Sequence, residues 1–277
     1  MLGGMVIVFR EVLEAAIIIG IVAAATRDVP GRNRWLAAGV LAGLAGSGLV
    51  ASATGAIGEM ADGVGQELFN AIVLGIAVLM LAWHNIWMAS HGAAMAAGAR
   101  TAGTDIREGR SERPALMIIA GLAVLREGSE TVLFLYGISA AEGAGHSSML
   151  LGSMIGLLAG IATGYAIYAG LLSIPARRFF AVTGILVLLL AAGMASQSAH
   201  FLIQADLLPS IAAPLWDTSE LLPEDSIPGM LLRSLTGYDA RPAGMQIVFY
   251  IATLIAIGAG MKWANRPHDI AKKQGSH

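Results

Sequence analysis

Long apolar runs alternate with short polar stretches along the whole 277-residue chain. A helix that crosses the hydrocarbon core of a bilayer needs about 20 predominantly apolar residues. Seven stretches meet this requirement, and they predict an all-α membrane protein with seven transmembrane helices. The predicted spans cover about residues 2–25, 36–57, 69–90, 114–138, 149–174, 179–203 and 245–261.

The connection over residues 204–242 is the one long loop between predicted spans, and it is too short for an independent domain. Its prolines, which include Pro209, Pro214, Pro223 and Pro228, exclude a single long helix. The stretch Ile227–Leu235 predicts a short interfacial helix with Met230, Leu231 and Leu235 on its apolar face. Residues 1–277 are therefore predicted to form a single polytopic membrane domain. Glycines that recur at every fourth position, as in Gly39 and Gly43, indicate close helix packing.

Composition supports the membrane class and excludes several kinds of chemistry. Only 13% of the residues are charged, whereas a soluble domain carries about 25%. The chain has no cysteine, which excludes disulfides, thiolate metal sites and cysteine nucleophiles. The first apolar run contains Arg10, Glu11 and Glu14 and lacks a basic leader, so a cleaved signal peptide is not expected.

The positions of the basic residues predict an orientation. Of the 17 lysines and arginines, all but four lie in the loops after the first, third and fifth spans or in the C-terminal tail. The exceptions are Arg233 and Arg241 in the long loop, and Arg10 and Arg126 inside spans. The positive-inside rule then places the N-terminus outside and the C-terminus in the cytoplasm. The predicted location is the plasma membrane, in the manner of a bacterial inner-membrane protein.

Two short motifs place charges in the middle of apolar spans. The first span contains REVLE at Arg10–Glu14, and the fourth contains REGSE at Arg126–Glu130. Each charged residue at a helix centre costs about 2.5–3.5 kcal/mol on insertion scales, so these groups must face one another, water or an ion. At about 100° per residue, the Arg and both Glu of a motif share one sector of their helix.

The predicted topology brings the two motifs together. The first and fourth spans are antiparallel, as an inverted repeat of spans 1–3 and 4–6 plus a seventh span would require. Four carboxylates and two guanidiniums leave a formal charge of about −2 at mid-depth, and carboxylate oxygens suit hard cations. The pattern predicts a metal-cation site. Two alternatives stay open, namely ion pairs that only hold the bundle together and a proton relay.

The duplicated Arg-Glu-x-x-Glu motif resembles that of the high-affinity iron permeases of fungi and their bacterial relatives, the oxidase-dependent iron transporters. The resemblance covers nearly the whole chain and is supported by Gly65–Phe69, Trp87, Met88, His91, Trp216–Glu220 and Gly237–Tyr238. A departure is Asn70, where an acidic residue is expected in many relatives. This departure weakens the case for a second cation site near the top of the third span.

The resemblance implies iron uptake, usually of ferric iron, with no other cofactor. It implies that Glu11, Glu14, Glu127 and Glu130 bind the transported ion and that Arg10 and Arg126 are their charge partners. It also implies an extracytoplasmic oxidase or a periplasmic iron-donor protein as partner. Outer-loop carboxylates that could receive iron are Asp217, Glu220, Glu224 and Asp225, and Glu67 is the predicted access point at the third span.

Several alternatives remain beside the iron permease hypothesis. Another cation such as Fe2+, Mn2+ or Pb2+ could be the substrate, or the charges could pair inside a non-transporting structural or sensory membrane protein. An enzyme is not expected, because no nucleophile–base set appears in one compartment, and nothing indicates nucleic-acid binding. His84 and Asn85, between Trp83 and Trp87, are predicted to belong to an interfacial aromatic belt rather than to an ion path.

Overall fold

The computed structural model describes residues 2–60, 65–142, 146–170, 176–224 and 226–264. Within these ranges the protein is built from helices joined by turns and loops, without a β-strand. The helices are α1 (Leu2–Ala25), α2 (Arg32–Met60), α3 (Gln66–Arg107), α4 (Ala115–Glu142), α5 (His146–Tyr168), α6 (Ala176–Gln204), α7 (Ile227–Thr236) and α8 (Gly244–Ala264).

The all-α membrane class predicted from the sequence is confirmed. The helices α2, α3, α5, α6 and α8 each contain a stretch long and apolar enough to cross a membrane. The helices α1 and α4 are of similar length, but each carries the three ionisable residues of its motif near its middle. Five apolar helices are thus established, and the two motif helices pack among them.

Two predicted spans end at other positions than the helices that contain them. The helix α3 continues to Arg107, well beyond the predicted end at residue 90, and at 42 residues it is about 63 Å long at 1.5 Å per residue. Its extension is rich in alanine and free of proline, so it stays helical although it is too polar for a span. The helix α5 ends at Tyr168 rather than near residue 174, because Gly170 adopts a left-handed turn with φ 74°.

Close glycine contacts join each motif helix to a neighbour. The helix α2 packs on α4, where a Cβ at Gly43 would lie 2.7 Å from the carbonyl oxygen of Gly121. The helix α5 packs on α1, where a Cβ at Gly160 would lie 2.9 Å from Val12 Cγ1. Such distances leave no room for a side chain, so these glycines are packing residues, as their spacing predicts.

The contacts also fix the relative directions of the helices. Along α5, Gly156 meets Met5 and Gly164 meets Ala16, so α5 runs parallel to α1. Along α2, Gly39 meets Met117 and Gly43 meets Gly121, so α2 runs parallel to α4. The helices α1 and α4 themselves are antiparallel, because Gly4 near the start of α1 contacts Leu135 near the end of α4.

Apolar clusters lie on both sides of the charged motifs. One cluster contains Ile7 of α1 and Phe134 of α4, packed with residues of α3, α6 and α8. The other contains Val22 of α1 and Leu116 of α4, packed with residues of α2 and α3. Because the motifs fall between these positions on both helices, the charged layer has a buried apolar cluster on each side of it along the helix axes.

The short helix predicted over Ile227–Leu235 is confirmed as α7, which follows the predicted stretch closely. The Ser226 side chain caps its N-terminus by accepting a hydrogen bond from the amide of Gly229. The helix ends at Gly237, whose φ of 72° is left-handed and whose backbone packs directly on Gly193 of α6. This contact anchors the long loop to the bundle.

Candidate metal centre

The motif on α1 is sealed inside the bundle. Arg10, Glu11 and Glu14 are each at most 3% exposed. Arg10 Nε lies 2.9 Å from Glu14 Oε1, as the i, i+4 spacing allows, and Arg10 Nη1 lies 3.8 Å from Glu11 Oε1. The guanidinium is therefore engaged mainly with Glu14, which leaves Glu11 as the less compensated carboxylate of this motif.

The motif on α4 repeats this arrangement with more exposure. Arg126 Nε lies 3.2 Å from Glu130 Oε1 and 3.5 Å from Glu127 Oε1. The guanidinium of Arg126 also stacks on the ring of Trp87, 4.3 Å from its centroid, and its Nη1 lies 3.5 Å from Met95 Sδ. Arg126 is thus held between its own carboxylates and the side chains of α3.

His84 of α3 lies between the two motifs and is only 2% exposed. Its Nδ1 contacts a carboxylate oxygen of Glu130 of α4. Its Nε2 faces α1, at 3.6 Å from Glu14 Oε1 and 3.9 Å from Glu11 Oε2. The imidazole ring meets Phe134 edge-on, with centroids 6.3 Å apart. One side chain of α3 therefore connects the charged groups of α1 and α4.

Four side chains could hold one metal ion together. Ligand atoms of Glu11, His84, Glu127 and Glu130 all lie within 4.8 Å of one another. Three of the four predicted carboxylates are in this group, and Glu14 stands beside it in its pair with Arg10. Carboxylate and imidazole donors on three helices suit divalent transition metals as well as harder cations.

The carboxylates of the site are poorly satisfied by protein donors. Among the described residues, neither oxygen of Glu11, Glu14 or Glu127 has a well-aligned hydrogen-bond partner, and the same holds for both nitrogens of His84. Burying charged or polar groups without such partners is costly. Buried oxygens without such partners that lie within 4.8 Å of one another, as those of Glu11 and Glu127 do, are the arrangement expected of groups that bind a cation.

The two motifs differ in their access to the surroundings. The side chains of Arg126 and Glu130 are 31% and 20% exposed, whereas those of Arg10 and Glu14 are 2% exposed. A groove of about 410 Å³ between α3 and α4 reaches His84, Arg126 and Glu130. The α4 motif therefore faces an open groove and the α1 motif faces the protein interior.

The assignment of His84 to an interfacial aromatic belt is wrong. Trp83 does face outward, at 74% exposure, but His84 continues the buried face of α3. Leu74, Ala77 and Leu81 form that face, and His84 follows at the next helical step of three residues. This apolar periodicity was the signal in the sequence that could have placed His84 inside the bundle.

The predicted iron-receiving carboxylates of the outer loop are mostly engaged within the loop. Asp217 accepts hydrogen bonds from Ser219 and pairs with Arg241 at 2.9 Å, and these contacts, led by the Ser219 hydroxyl, lower the pKa of Asp217 to about 2. Glu224 accepts a hydrogen bond from Arg233 at 2.7 Å. Glu220 is exposed.

Two further predicted residues lie apart from the metal centre. Asp225 falls outside the described residues. Glu67 is exposed in the first turn of α3. Neither position joins the group of ligand atoms around His84.

Comparison with known proteins finds iron permeases among the relatives of this chain. The ferrous iron permease EfeU of Yersinia pestis is 29% identical over 254 residues, covering 90% of this chain and 89% of the relative. The ferrous iron permease EfeU of Escherichia coli O157:H7 is 30% identical over 256 residues, covering 90% of this chain and 91% of the relative. No solved structure matches the chain.

These relatives and the apolar helices confirm the predicted plasma-membrane location. The characteristic sequence pattern of one family, described as the iron permease FTR1 family, matches residues 1–265. This match includes all the helices of the structure, and the chain therefore belongs to the iron permease FTR1 family.

Proposed function

We propose that this protein takes up iron through a site formed by Glu11, Glu127, Glu130 and His84. The observation that carries the proposal is the convergence of their ligand atoms within 4.8 Å inside a membrane bundle. Membership of an iron permease family supports iron as the substrate and transport, rather than catalysis, as the activity. On this basis no cofactor is required other than the transported ion.

The arginines and Glu14 complete the site by balancing charge. Arg10 holds Glu14 and Arg126 holds Glu130, so each guanidinium offsets part of the carboxylate charge before the ion arrives. We assign Glu14 a second role as an alternative ligand, because it lies only 3.6 Å from His84 Nε2. An ion could then move from the α4 carboxylates to the α1 carboxylates by exchanging one Glu oxygen for another.

The charge balance favours a divalent ion. With His84 neutral, four glutamates and two arginines give a formal charge of about −2, which Fe2+ neutralises and Fe3+ exceeds. A net charge inside a bilayer is costly, so a neutral loaded site is the more stable one. The relatives are named as ferrous iron permeases, and imidazole is a donor that Fe2+ accepts. We therefore propose Fe2+ as the bound ion, in place of the ferric iron that the sequence resemblance implies.

The proposed topology has seven spans, with the N-terminus outside and the C-terminus in the cytoplasm. Support comes from the helix directions, because α5 is parallel to α1, α2 is parallel to α4, and α1 is antiparallel to α4. The pairs α1–α5 and α4–α2 exchange under the two-fold axis of an inverted repeat of α1–α3 and α4–α6. Such a repeat supports alternating access around a fixed central site.

The outer loop is proposed to serve mainly as a folded cap. Asp217 and Glu224 are held by arginines of the same loop, so Glu220 and Glu67 are the exposed carboxylates left to attract an arriving cation. Donation of iron by an extracytoplasmic oxidase or a periplasmic protein remains compatible with this surface.

Uptake of radioactive iron tests the proposal. Cells that lack their own iron permeases would express wild type, Glu11→Gln, Glu127→Gln or the exposed-carboxylate control Glu112→Gln at matched membrane levels. We expect uptake by wild type and the control and a loss of at least about tenfold in both site variants, because outer partners of metal sites alone cost about 10–100-fold. Uptake that survives in both site variants would refute the site.

Two further arms of this experiment separate the substrates. Ascorbate-reduced iron and ferric citrate would be supplied in parallel, and faster uptake from ferric citrate would overturn the Fe2+ assignment. Competition by Mn2+ or Pb2+ at concentrations equal to iron would identify another cation as substrate. Correctly inserted wild-type protein that transports none of these ions would favour a non-transporting membrane protein.

A further inference from the structure

A second groove, of about 460 Å³, lies between α1, α3 and α5, at the opposite end of α1 from its first turn. It extends along α1 from Ala16 to Ala25, a distance of about 14 Å at 1.5 Å per residue. Its walls along this length are apolar, formed by Ile17 and Ile21 of α1 and Ile167 of α5. The groove therefore offers a long apolar trough on the side of the bundle.

The α3 wall of the same groove is basic. Arg100 and Arg107 of α3 line it, one on each side of Thr104. Arg107 lies 3.9 Å from Glu108, at nearly half exposure, so its charge is only weakly offset. No carboxylate of the described residues pairs with Arg100. Two guanidiniums thus face the groove with little compensation from the protein.

Further arginines surround Tyr168, which also lines the groove. The Arg27 guanidinium lies over the Tyr168 ring, 5.7 Å from its centroid. Arg32 Nη2 lies 3.5 Å from the Tyr168 hydroxyl, to which it donates, and Arg32 Nη1 donates to the carbonyl of Ala23. These contacts fix the end of α5 beside the end of α1 and concentrate positive charge at the same level of the protein.

An apolar trough with guanidiniums along one wall fits an anionic amphiphile. Basic pockets between transmembrane helices on the cytoplasmic side bind anionic lipid headgroups. A transported cation would be repelled by Arg100 and Arg107, and a small soluble anion would leave the apolar walls without a partner. We propose that this groove binds one anionic phospholipid of the inner leaflet, with its phosphate on Arg100 and Arg107 and an acyl chain along Ile17 and Ile21. The proposal uses the proposed orientation and does not depend on the iron site.

Native mass spectrometry of the purified full-length protein, titrated with phosphatidylglycerol without iron, measures this binding. The test variant is Arg100→Gln/Arg107→Gln, and the matched control is Arg113→Gln/Lys262→Gln, which removes two cations outside the groove. Each cation near a headgroup contributes about 1 kcal/mol, so we expect affinity on the order of 30-fold weaker in the test variant. Equal affinities of the test and control variants would overturn the proposal.

A second pair of variants tests the acyl-chain part of the groove without changing charge. Ala24→Leu adds a side chain at an exposed position that lines the groove, and Ala51→Leu adds the same group at an exposed position of α2. We expect only Ala24→Leu to lower phosphatidylglycerol binding. Displacement of the lipid by inorganic phosphate, or equal retention of phosphatidylcholine, would show an anion site or an unspecific lipid contact instead and overturn the proposal.

Discussion

Replacement of His84 by glutamine tests whether this side chain is a metal ligand, as the structure indicates, rather than a member of an interfacial aromatic belt, as the sequence predicts. Glutamine keeps a polar side chain of similar reach and hydrogen-bonding capacity, so the buried carboxylates are not left against an apolar group. It removes the imidazole that contacts Glu130 and faces Glu11 and Glu14. The variant therefore tests the donor and not the packing of α3.

The expected magnitude follows from the size of the ligand group. His84 is one of four side chains whose ligand atoms lie within 4.8 Å, so its loss leaves three carboxylates to hold the ion. Loss of an outer-shell partner of a metal site costs about 10–100-fold in affinity or activity. Loss of a donor should reach the upper end, about 100-fold, which corresponds to about 2.7 kcal/mol.

Initial rates of radioactive iron uptake at low iron concentration would measure this effect. The matched control is His91→Gln on the same helix, because His91 is exposed and stacks on Trp87 outside the ligand group. We expect wild-type uptake in the control and a deep loss in His84→Gln at equal membrane expression. Uptake within twofold of wild type in both variants would refute the role of His84 as a ligand and leave it as a buried packing residue.

Two other predictions address the bundle and its outer loop. Gly156→Ala should lower the unfolding temperature of the purified protein, because its Cβ would press on the Met5 carbonyl and overpacking costs about 1–3 kcal/mol. The control Gly48→Ala should leave the unfolding temperature unlowered, because nothing lies within 4 Å of that position. Equal unfolding temperatures of the two variants would contradict the close α1–α5 packing. The pKa of Asp217 is lowered to about 2, so its contribution to loop stability is complete above about pH 4 and is lost as the pH falls through about 2. Limited proteolysis of the loop should therefore be unchanged from pH 7 to pH 4.5 in wild type and faster at both pH values in Asp217→Asn, and loop opening near pH 5 in wild type would contradict this assignment.

The helices that carry the site were predictable because their apolar length and their charges are local properties of the chain. The range predicted for α1 agrees with Leu2–Ala25, and both motifs lie in adjacent antiparallel helices as the charge pattern indicates. The end of α3 was not predictable from span length, because alanine-rich sequence continues a helix after the apolar stretch has ended. Hydropathy indicates which part of a helix is apolar enough to lie in lipid, whereas helix propensity decides where the helix ends.

The composition of the metal centre depended on contacts between distant parts of the chain. The sequence does not distinguish the four motif glutamates as ligands. In the structure, Glu14 pairs with Arg10, and His84 is a member of the ligand group instead. The motifs also differ in burial, because α3 leaves a groove beside Glu130, while α1 is covered on all sides that its motif faces. Neither difference is visible in the spacing of the two motifs, which is identical.

The sequence by itself determined the membrane class, the motif helices and the excess of carboxylate, because each follows from hydrophobicity, helical periodicity and the cost of a charge in lipid. Only the tertiary structure decided that His84 lies between the motifs and that Asp217 is held by Arg241. The physical reason is that ligation and ion pairing depend on distances of a few ångström between side chains far apart in the chain. Those distances are set by how the helices pack, which here follows the glycine contacts of α2 with α4 and of α5 with α1.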